Sequence, residues 1–210
     1  GPGTGKTFTL VQRAIYLIQE CGIQPEEIFI ATFTEKAAKE LVTRITNELA
    51  ARDISVNVNE MYVGTFHSIC LRIIKEHLEY SRLKKNYRML DSFDQQYMVF
   101  QNLNRFKRIT NLDGVIKSKG WRMAKEICEY ANNLSEELVT PEALCQDKDG
   151  FVVALGNMLA EYQMLLNEGN LIDFSTIQTE CFRILKENPA ILEELQEKIK
   201  YLMVDEYQDT

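Results

Sequence analysis

Apolar residues recur at helical spacing in the first part of the chain and then gather into short runs. From Thr7 to Glu20, Leu10, Val11, Ala14, Ile15, Leu17 and Ile18 share one helical face. Gly22 is placed to end that helix as a left-handed cap. Residues 28–33, Ile-Phe-Ile-Ala-Thr-Phe, are rich in β-branched and aromatic side chains, the pattern of a parallel strand buried on both faces. Thr34 then stands as an N-cap, with Ala37, Ala38, Leu41, Val42, Ile45 and Leu49 inward on the next helix. Residues 61–65 predict a third strand, and the stretch from Phe66 to Leu78 a helix with Ile69, Cys70, Ile73, Ile74 and His77 on one side.

From about residue 79 to 169 the strand signals nearly vanish. Helices are predicted over 92–106, 121–134, 141–146 and 151–167, separated by turns at 111–114 and 147–150. Thr140 and Pro141 mark a helix start. Asp173 can cap a further helix to Glu187, with Phe174, Ile177, Phe182 and Leu185 inward; Pro189 opens a short one. Tyr201-Leu202-Met203-Val204 reads as a final strand. The pattern predicts an α/β fold: a parallel sheet with flanking helices, interrupted by a mostly helical insertion.

The chemistry begins at Gly1-Pro2-Gly3-Thr4-Gly5-Lys6-Thr7. These residues match the end of the phosphate-loop pattern G-x-x-x-x-G-K-[ST], whose first position falls one residue before Gly1. The chain is therefore expected to be part of a longer protein, with the strand that feeds the loop also lying upstream. Glycines let successive backbone N–H groups turn inward on a phosphate, and the following helix adds its positive end. Lys6 would reach the β- and γ-phosphates of a nucleotide, and the Thr7 hydroxyl would meet Mg²⁺.

An acidic pair at the end of an apolar strand completes such a site. In parallel α/β sheets ligands sit beyond the carboxyl ends of the strands, which would put Asp205 and Glu206 beside Lys6 and Thr7 if their strands are neighbours. Asp205 would hold Mg²⁺, through water, and Glu206 would orient or deprotonate the attacking water.

Composition changes this picture in one place. The 210 residues are 45% hydrophobic with net charge −7, which alone argues against a polyanionic partner. Yet between Arg82 and Lys125 there are eleven Lys/Arg against three Asp, a plausible phosphate-contacting surface inside an acidic chain. Five scattered cysteines without a C-x-x-C spell neither a disulfide framework nor a zinc site, and buried reduced thiols in a cytoplasmic protein are expected. No run of about 18 apolar residues is present, so no membrane span is expected.

Three stretches, the last of which contains the acidic pair, stand in order after the phosphate-loop pattern. They are Ala31-Thr32-Phe33-Thr34-Glu35-Lys36-Ala37-Ala38-Lys39-Glu40-Leu41, then Gly64-Thr65-Phe66-His67-Ser68, then Val204-Asp205-Glu206-Tyr207-Gln208-Asp209-Thr210. Together they resemble motifs Ia, Ib and II of the superfamily 1 DNA helicases of the UvrD/PcrA/Rep type. Met89-Leu90-Asp91-Ser92-Phe93-Asp94-Gln95 and Leu171-Ile172-Asp173-Phe174 add weaker echoes, so the resemblance spans the chain.

The resemblance implies a RecA-like P-loop lobe over residues 1–78 and 172–210, with the helical insertion, 79–171, as a 1B-like subdomain. It implies ATP and Mg²⁺ as cofactors, with Gly1, Pro2, Gly3, Thr4, Gly5, Lys6 and Thr7 around the phosphates. Gln208 would couple the γ-phosphate or attacking water to DNA. Phe33, Thr34, Thr65, Phe66 and His67 would line a single-strand track, although without the motifs Phe33 and Phe66 read as core residues. Aromatic faces stack on any base, worth about 1–3 kcal/mol each, without reading sequence. The resemblance further implies 3′→5′ movement on single-stranded DNA and single-strand/duplex junctions, in repair or recombination. Repair or recombination proteins would be its partners.

Two positions depart from the family. Phe8 stands where many members carry an Arg near the adenine, and Tyr207 where a Phe is common. A second RecA-like lobe is expected elsewhere in the parent chain, supplying arginines that complete the site at a gain of about 10³–10⁵ in rate. This stretch alone is expected to bind ATP weakly and turn it over very slowly. A RecB/AddA-like helicase–nuclease subunit and a non-motor, nucleotide-switched DNA-binding module are the rival readings.

Overall fold

The computed structural model describes residues 5–205. Helix α1 (Lys6–Gln19) leads to strand β1 (Ile28–Thr32) and helix α2 (Glu35–Ala51). Strand β2 (Tyr62–Thr65) runs directly into α3 (Phe66–Glu76). Then follow β3 (Arg88–Leu90), α4 (Ser92–Gln101), α5 (Leu103–Phe106), α6 (Leu112–Val115), α7 (Trp121–Glu136), α8 (Pro141–Cys145) and α9 (Gly150–Gly169). Strand β4 (Leu171–Asp173), α10 (Phe174–Glu187), α11 (Pro189–Lys198) and β5 (Tyr201–Val204) complete the order. Two compact units result: one takes the residues up to Ile73 and from Leu185 on, the other Ile74–Ile184.

The first unit is built on a parallel sheet in the order β2-β1-β5. Strand β1 is central and buried along its whole length, as its unbroken apolar run requires. Ile28 and Ile30 join Val11, Ile15 and Leu17 of α1 and Leu41, Ile45 and Leu49 of α2 in one core. The alternate residue Phe29 points to the other face, where the Tyr62 ring stacks on it at 6.4 Å and Phe66 meets it edge-on. Tyr62 is fully buried there, with the Arg72 guanidinium 4.0 Å above its ring. Gly22 takes the left-handed φ of +66° expected after α1, and Thr34 caps α2 by accepting the Ala37 N–H at 3.1 Å.

The second unit is helical apart from β3 and β4, which pair in parallel with Leu90 opposite Asp173. Its core joins α4 and α7 (Val99, Ala124, Ile127, Ala131) to α9 (Met158, Leu159, Tyr162, Leu166). Neither short strand was visible in the hydrophobic pattern, because three residues are too few to show a period. The long helix expected over 92–106 breaks at Asn102, whose side-chain amide donates to the Met98 carbonyl at 2.8 Å in competition with the helix ladder.

Helix α10 also corrects the sequence reading. Phe174 and Phe182 are 55% and 48% exposed, while Ser175, Thr176, Ile177, Glu180, Cys181 and Ile184 are buried. The buried face is chosen by hydrogen bonds that the Asp173 and Glu180 carboxylates accept, which apolar periodicity does not register. Of the five cysteines, only Cys128 and Cys181 are buried; Cys21 and Cys145 are exposed. Burial, with the nearby charges of Asp173 and Glu129, pushes the Cys128 thiol up to about 12, so it is an inert core thiol. No helix among the described residues is long and apolar enough to cross a membrane.

Candidate functional site

Three strand ends and one helix start define the site in the first unit. Strands β1, β2 and β5 are parallel, so Thr32, Thr65 and Val204 all finish at one edge of the sheet. Helix α1 returns to the opening of β1 through residues 20–27. That short return puts the end of α1 at the edge where strands begin, and its start, with Gly5, Lys6 and Thr7, toward the edge where they finish.

Gly5 adopts φ +75° at the N-cap of α1, a left-handed conformation with open space where a Cβ would stand. Its carbonyl accepts both the N–H and the hydroxyl of Thr9, at 2.9 and 3.1 Å. The first turn, Lys6-Thr7-Phe8, contains no acidic residue and no side-chain cap, so its N–H groups suit an anion. Phe8 is 60% exposed.

Asp205 follows β5, and its N–H donates to the Ala31 carbonyl at 2.8 Å. That bond extends the ladder by one residue and holds Asp205, buried, beside Thr32. Thr32 in turn faces Thr65, so Asp205 and Thr65 stand two strand spacings apart, about 10 Å. Gly1, Pro2, Gly3, Thr4, Glu206 and Gln208 lie outside the described residues.

The proposed single-strand track has two kinds of residue. Phe33 and Phe66 are 65% and 41% exposed, immediately beyond β1 and β2. Their exposure overrides the core reading that each invites by itself. The two threonines are structural as well; Thr34 is exposed and Thr65 half-buried. Thr65 accepts the Ser68 N–H at 3.1 Å, capping α3, and donates to Glu35 Oε1 at 2.8 Å in the first turn of α2. Its single proton is thus spent within the protein. Thr34 only accepts from Ala37, so its O–H remains able to donate outward. Burial lowers the His67 pKa below its ordinary 6.5, leaving a neutral ring at pH 7.

Gly64 shows why the Gly-Thr-Phe-His-Ser stretch needs its glycine. Because α3 starts with no intervening loop, a Cβ at Gly64 would stand 2.3 Å from Ser68 Oγ and 3.3 Å from Ile69 Cγ1. Sequence reading missed this, as it missed Glu35; both depend on how two helices start side by side. The basic segment is also smaller than its count. Arg82 is 3.6 Å from Glu180 and donates to the Leu171 carbonyl, and Arg105 is held between Glu161 and Glu168.

Comparison with known sequences decides the lineage. The family model described as UvrD/REP helicase N-terminal domain matches residues 1–210. The chain belongs to the UvrD/REP helicase family. It is 32% identical to ATP-dependent DNA helicase SRS2 of Saccharomyces cerevisiae and 31% to ATP-dependent DNA helicase Rep of Buchnera aphidicola (subsp. Acyrthosiphon pisum). It is 28% identical to ATP-dependent DNA helicase PcrA of Bacillus subtilis. Each match covers 100% of this chain but only 18%, 30% and 27% of the respective relative. The parallel sheet flanked by helices is the fold of this UvrD/REP lobe, of RecA-like type.

Proposed function

We propose that this chain is the nucleotide-binding and strand-gripping part of an ATP-dependent DNA helicase or translocase. The observation that carries the reading is the shared sheet edge. The anion-ready start of α1, the Asp205 carboxylate and the exposed rings of Phe33 and Phe66 all belong to it. The residues fit ATP with Mg²⁺. Gly5 leaves room for phosphate, and Thr7 and Asp205 offer the hard oxygen donors that Mg²⁺ takes alongside water.

In this reading Lys6 would hold the terminal phosphates, Thr7 and Asp205 would hold Mg²⁺, and Glu206 would take a proton from the attacking water. Gln208 senses the phosphate. When bound, ATP–Mg²⁺ would supply the free energy coupled to grip on DNA through its hydrolysis to ADP and phosphate. Phe33 and Phe66 stack on bases, while Thr34 donates to a phosphate and neutral His67 completes the track. The motor lobe, expected from the sequence over 1–78 and 172–210, corresponds to the first compact unit, up to Ile73 and from Leu185 on, and the 1B-like insertion, expected over 79–171, to the second, Ile74–Ile184. A second lobe elsewhere in the full-length protein completes the cleft. Movement 3′→5′ and a cytoplasmic repair or recombination role complete the proposal; opening one base pair costs roughly 1.4 kcal/mol of stacking, within reach of a coupled step.

The test is ATP turnover by the full-length protein with and without single-stranded DNA, beside Glu206→Gln. Strong stimulation by DNA that disappears in the variant is expected. Turnover indifferent to DNA would remove the translocase reading, and nucleotide-dependent DNA affinity without turnover would favour a switch module.

A further inference from the structure

Three helices start at the sheet edge that carries the candidate site, and their first turns differ in one respect. Those of α1 and α3 contain no acidic residue, whereas α2 begins on Glu35. The Glu35 carboxylate belongs to the positive end of its own helix, where an anion is stabilised. It also takes the Thr65 hydroxyl proton at 2.8 Å, and Thr65 is the residue that caps α3. One carboxylate therefore serves two neighbouring helix starts. The start of α1 has no such internal anion.

Register fixes where this carboxylate stands. Thr32 and Thr65 are paired on β1 and β2, so Phe33 and Phe66 leave the sheet from adjacent strand ends, about 5 Å apart. Glu35, two residues beyond Phe33, reaches across that gap to Thr65, directly before Phe66. Phe66 is braced in turn by the Phe29 ring, edge-on at 6.4 Å. The Ser68 hydroxyl, 3.2 Å from Thr65 Oγ1, is neutral and farther away, so the charged Glu35 oxygen keeps the proton. Thr65 is the one hydrogen-bond partner of Glu35 among the described residues; Lys36 and Lys39 follow on α2, and neither pairs with it. Asp205 is buried on the far side of β1 from Thr65.

We infer that Glu35 is a positioning and specificity-determining residue of the strand track: its fixed carboxylate keeps phosphates away from the starts of α2 and α3. The inference rests on the reading of this edge as a single-strand track and gives a role to a residue that reading does not use. Backbone N–H groups and hydroxyls at helix starts ordinarily hold phosphate. Here a phosphate that reaches the Thr34 hydroxyl meets the Glu35 charge one residue away, and Thr65 has no proton left to give. Nucleotide phosphates are left the start of α1, and the strand is held there chiefly through Phe33 and Phe66. Glu35 thereby divides one edge between two polyanions that would otherwise compete for it.

The experiment uses the full-length protein without nucleotide. It follows the anisotropy of a labelled thymidylate oligomer and of an abasic oligomer of equal length across a salt series. Glu35→Gln keeps an oxygen that accepts the Thr65 proton and removes the charge; Glu35→Ala removes both. Glu35→Gln is expected to bind the abasic oligomer about threefold or more tightly than the unaltered protein at low salt. Its slope of log affinity against log salt steepens by about 0.7, the value of one further phosphate contact on a single strand. Glu35→Ala shares the steepening, because charge and not shape sets it. Phe33→Ala/Phe66→Ala weakens thymidylate binding about fivefold or more and leaves the abasic oligomer unchanged.

An unchanged salt slope in either Glu35 variant overturns the inference and leaves Glu35 as a brace between α2 and α3. The strand-track reading stands in that case as long as the Phe33→Ala/Phe66→Ala variant loses thymidylate affinity. Thymidylate binding that ignores the loss of both rings removes the strand-track reading itself, and the inference with it.

Discussion

Gly64 decides the junction between β2 and α3 by having no side chain. The Ser68 hydroxyl occupies the space a Cβ would need, and it donates to the Thr65 carbonyl at 2.9 Å. Gly64→Ala forces that hydroxyl to rotate away and presses on Ile69. The expected cost is about 1–2 kcal/mol of stability. A denaturant melt of Gly64→Ala beside Gly64→Ala/Ser68→Ala tests the cause. The double variant is expected to recover most of the loss, because the atom in the way has gone. Equal losses in both would place the strain at Ile69 or in the backbone. The same junction positions Thr65 and Phe66, so strain there is also strain in the proposed track.

At the level of elements, α10 is held by a buried carboxylate more than by its phenylalanines. Glu180 accepts from the Ser81 hydroxyl at 2.9 Å, the Arg82 N–H at 2.8 Å and the Arg183 guanidinium at 2.9 Å. Burial alone would raise its pKa; the hydrogen bonds from Arg183, Arg82 and Ser81 outweigh it and hold the group below the ordinary 4.5. A depressed carboxylate contributes stability that is complete above 4.5 and is lost as pH falls through the lower folded value. Glu180→Gln is therefore expected to be less stable at pH 7 by about 2 kcal/mol, with the deficit shrinking below pH 4.5. Unfolding midpoints measured from pH 7 to pH 3 check this; a pH-independent deficit would assign the loss to shape and not to charge.

For the molecule as a whole, the two weak sequence echoes turn out to be one structure. Gln95 follows β3 and Asp173 ends β4, and the pairing of those strands brings them together. The Tyr162 hydroxyl donates to Asp173, and Gln95 donates to Tyr162 and to Asn132, each at 2.6 Å. Ser175 and Thr176 satisfy the other Asp173 oxygen at 2.9 Å. Burial, then the Asp173 charge, holds the Tyr162 phenol well above its usual range, so it remains a donor at any working pH. Tyr162→Phe leaves this buried network one proton short and is expected to cost about 1–3 kcal/mol. Trp121 lies in the same unit, so its fluorescence during denaturant unfolding reads that cost directly. An unchanged midpoint would mean that the network adds nothing to stability.

The chain alone determined that a phosphate-loop sequence pattern, a buried parallel strand and an acidic strand end occur in order, because each is written in contiguous residues. The caps at Thr34 and Thr140 were legible for the same reason. Tertiary structure decided what depends on distant pairing. It set the strand order that stands Asp205 beside Thr32, formed the three-residue strands β3 and β4, and exposed Phe33 and Phe66 at the sheet edge. It also turned Phe174 and Phe182 outward and spent the Thr65 proton on Glu35. Local sequence specifies propensity and spacing, but burial and hydrogen-bond partners are settled only when segments 30 to 173 residues apart meet.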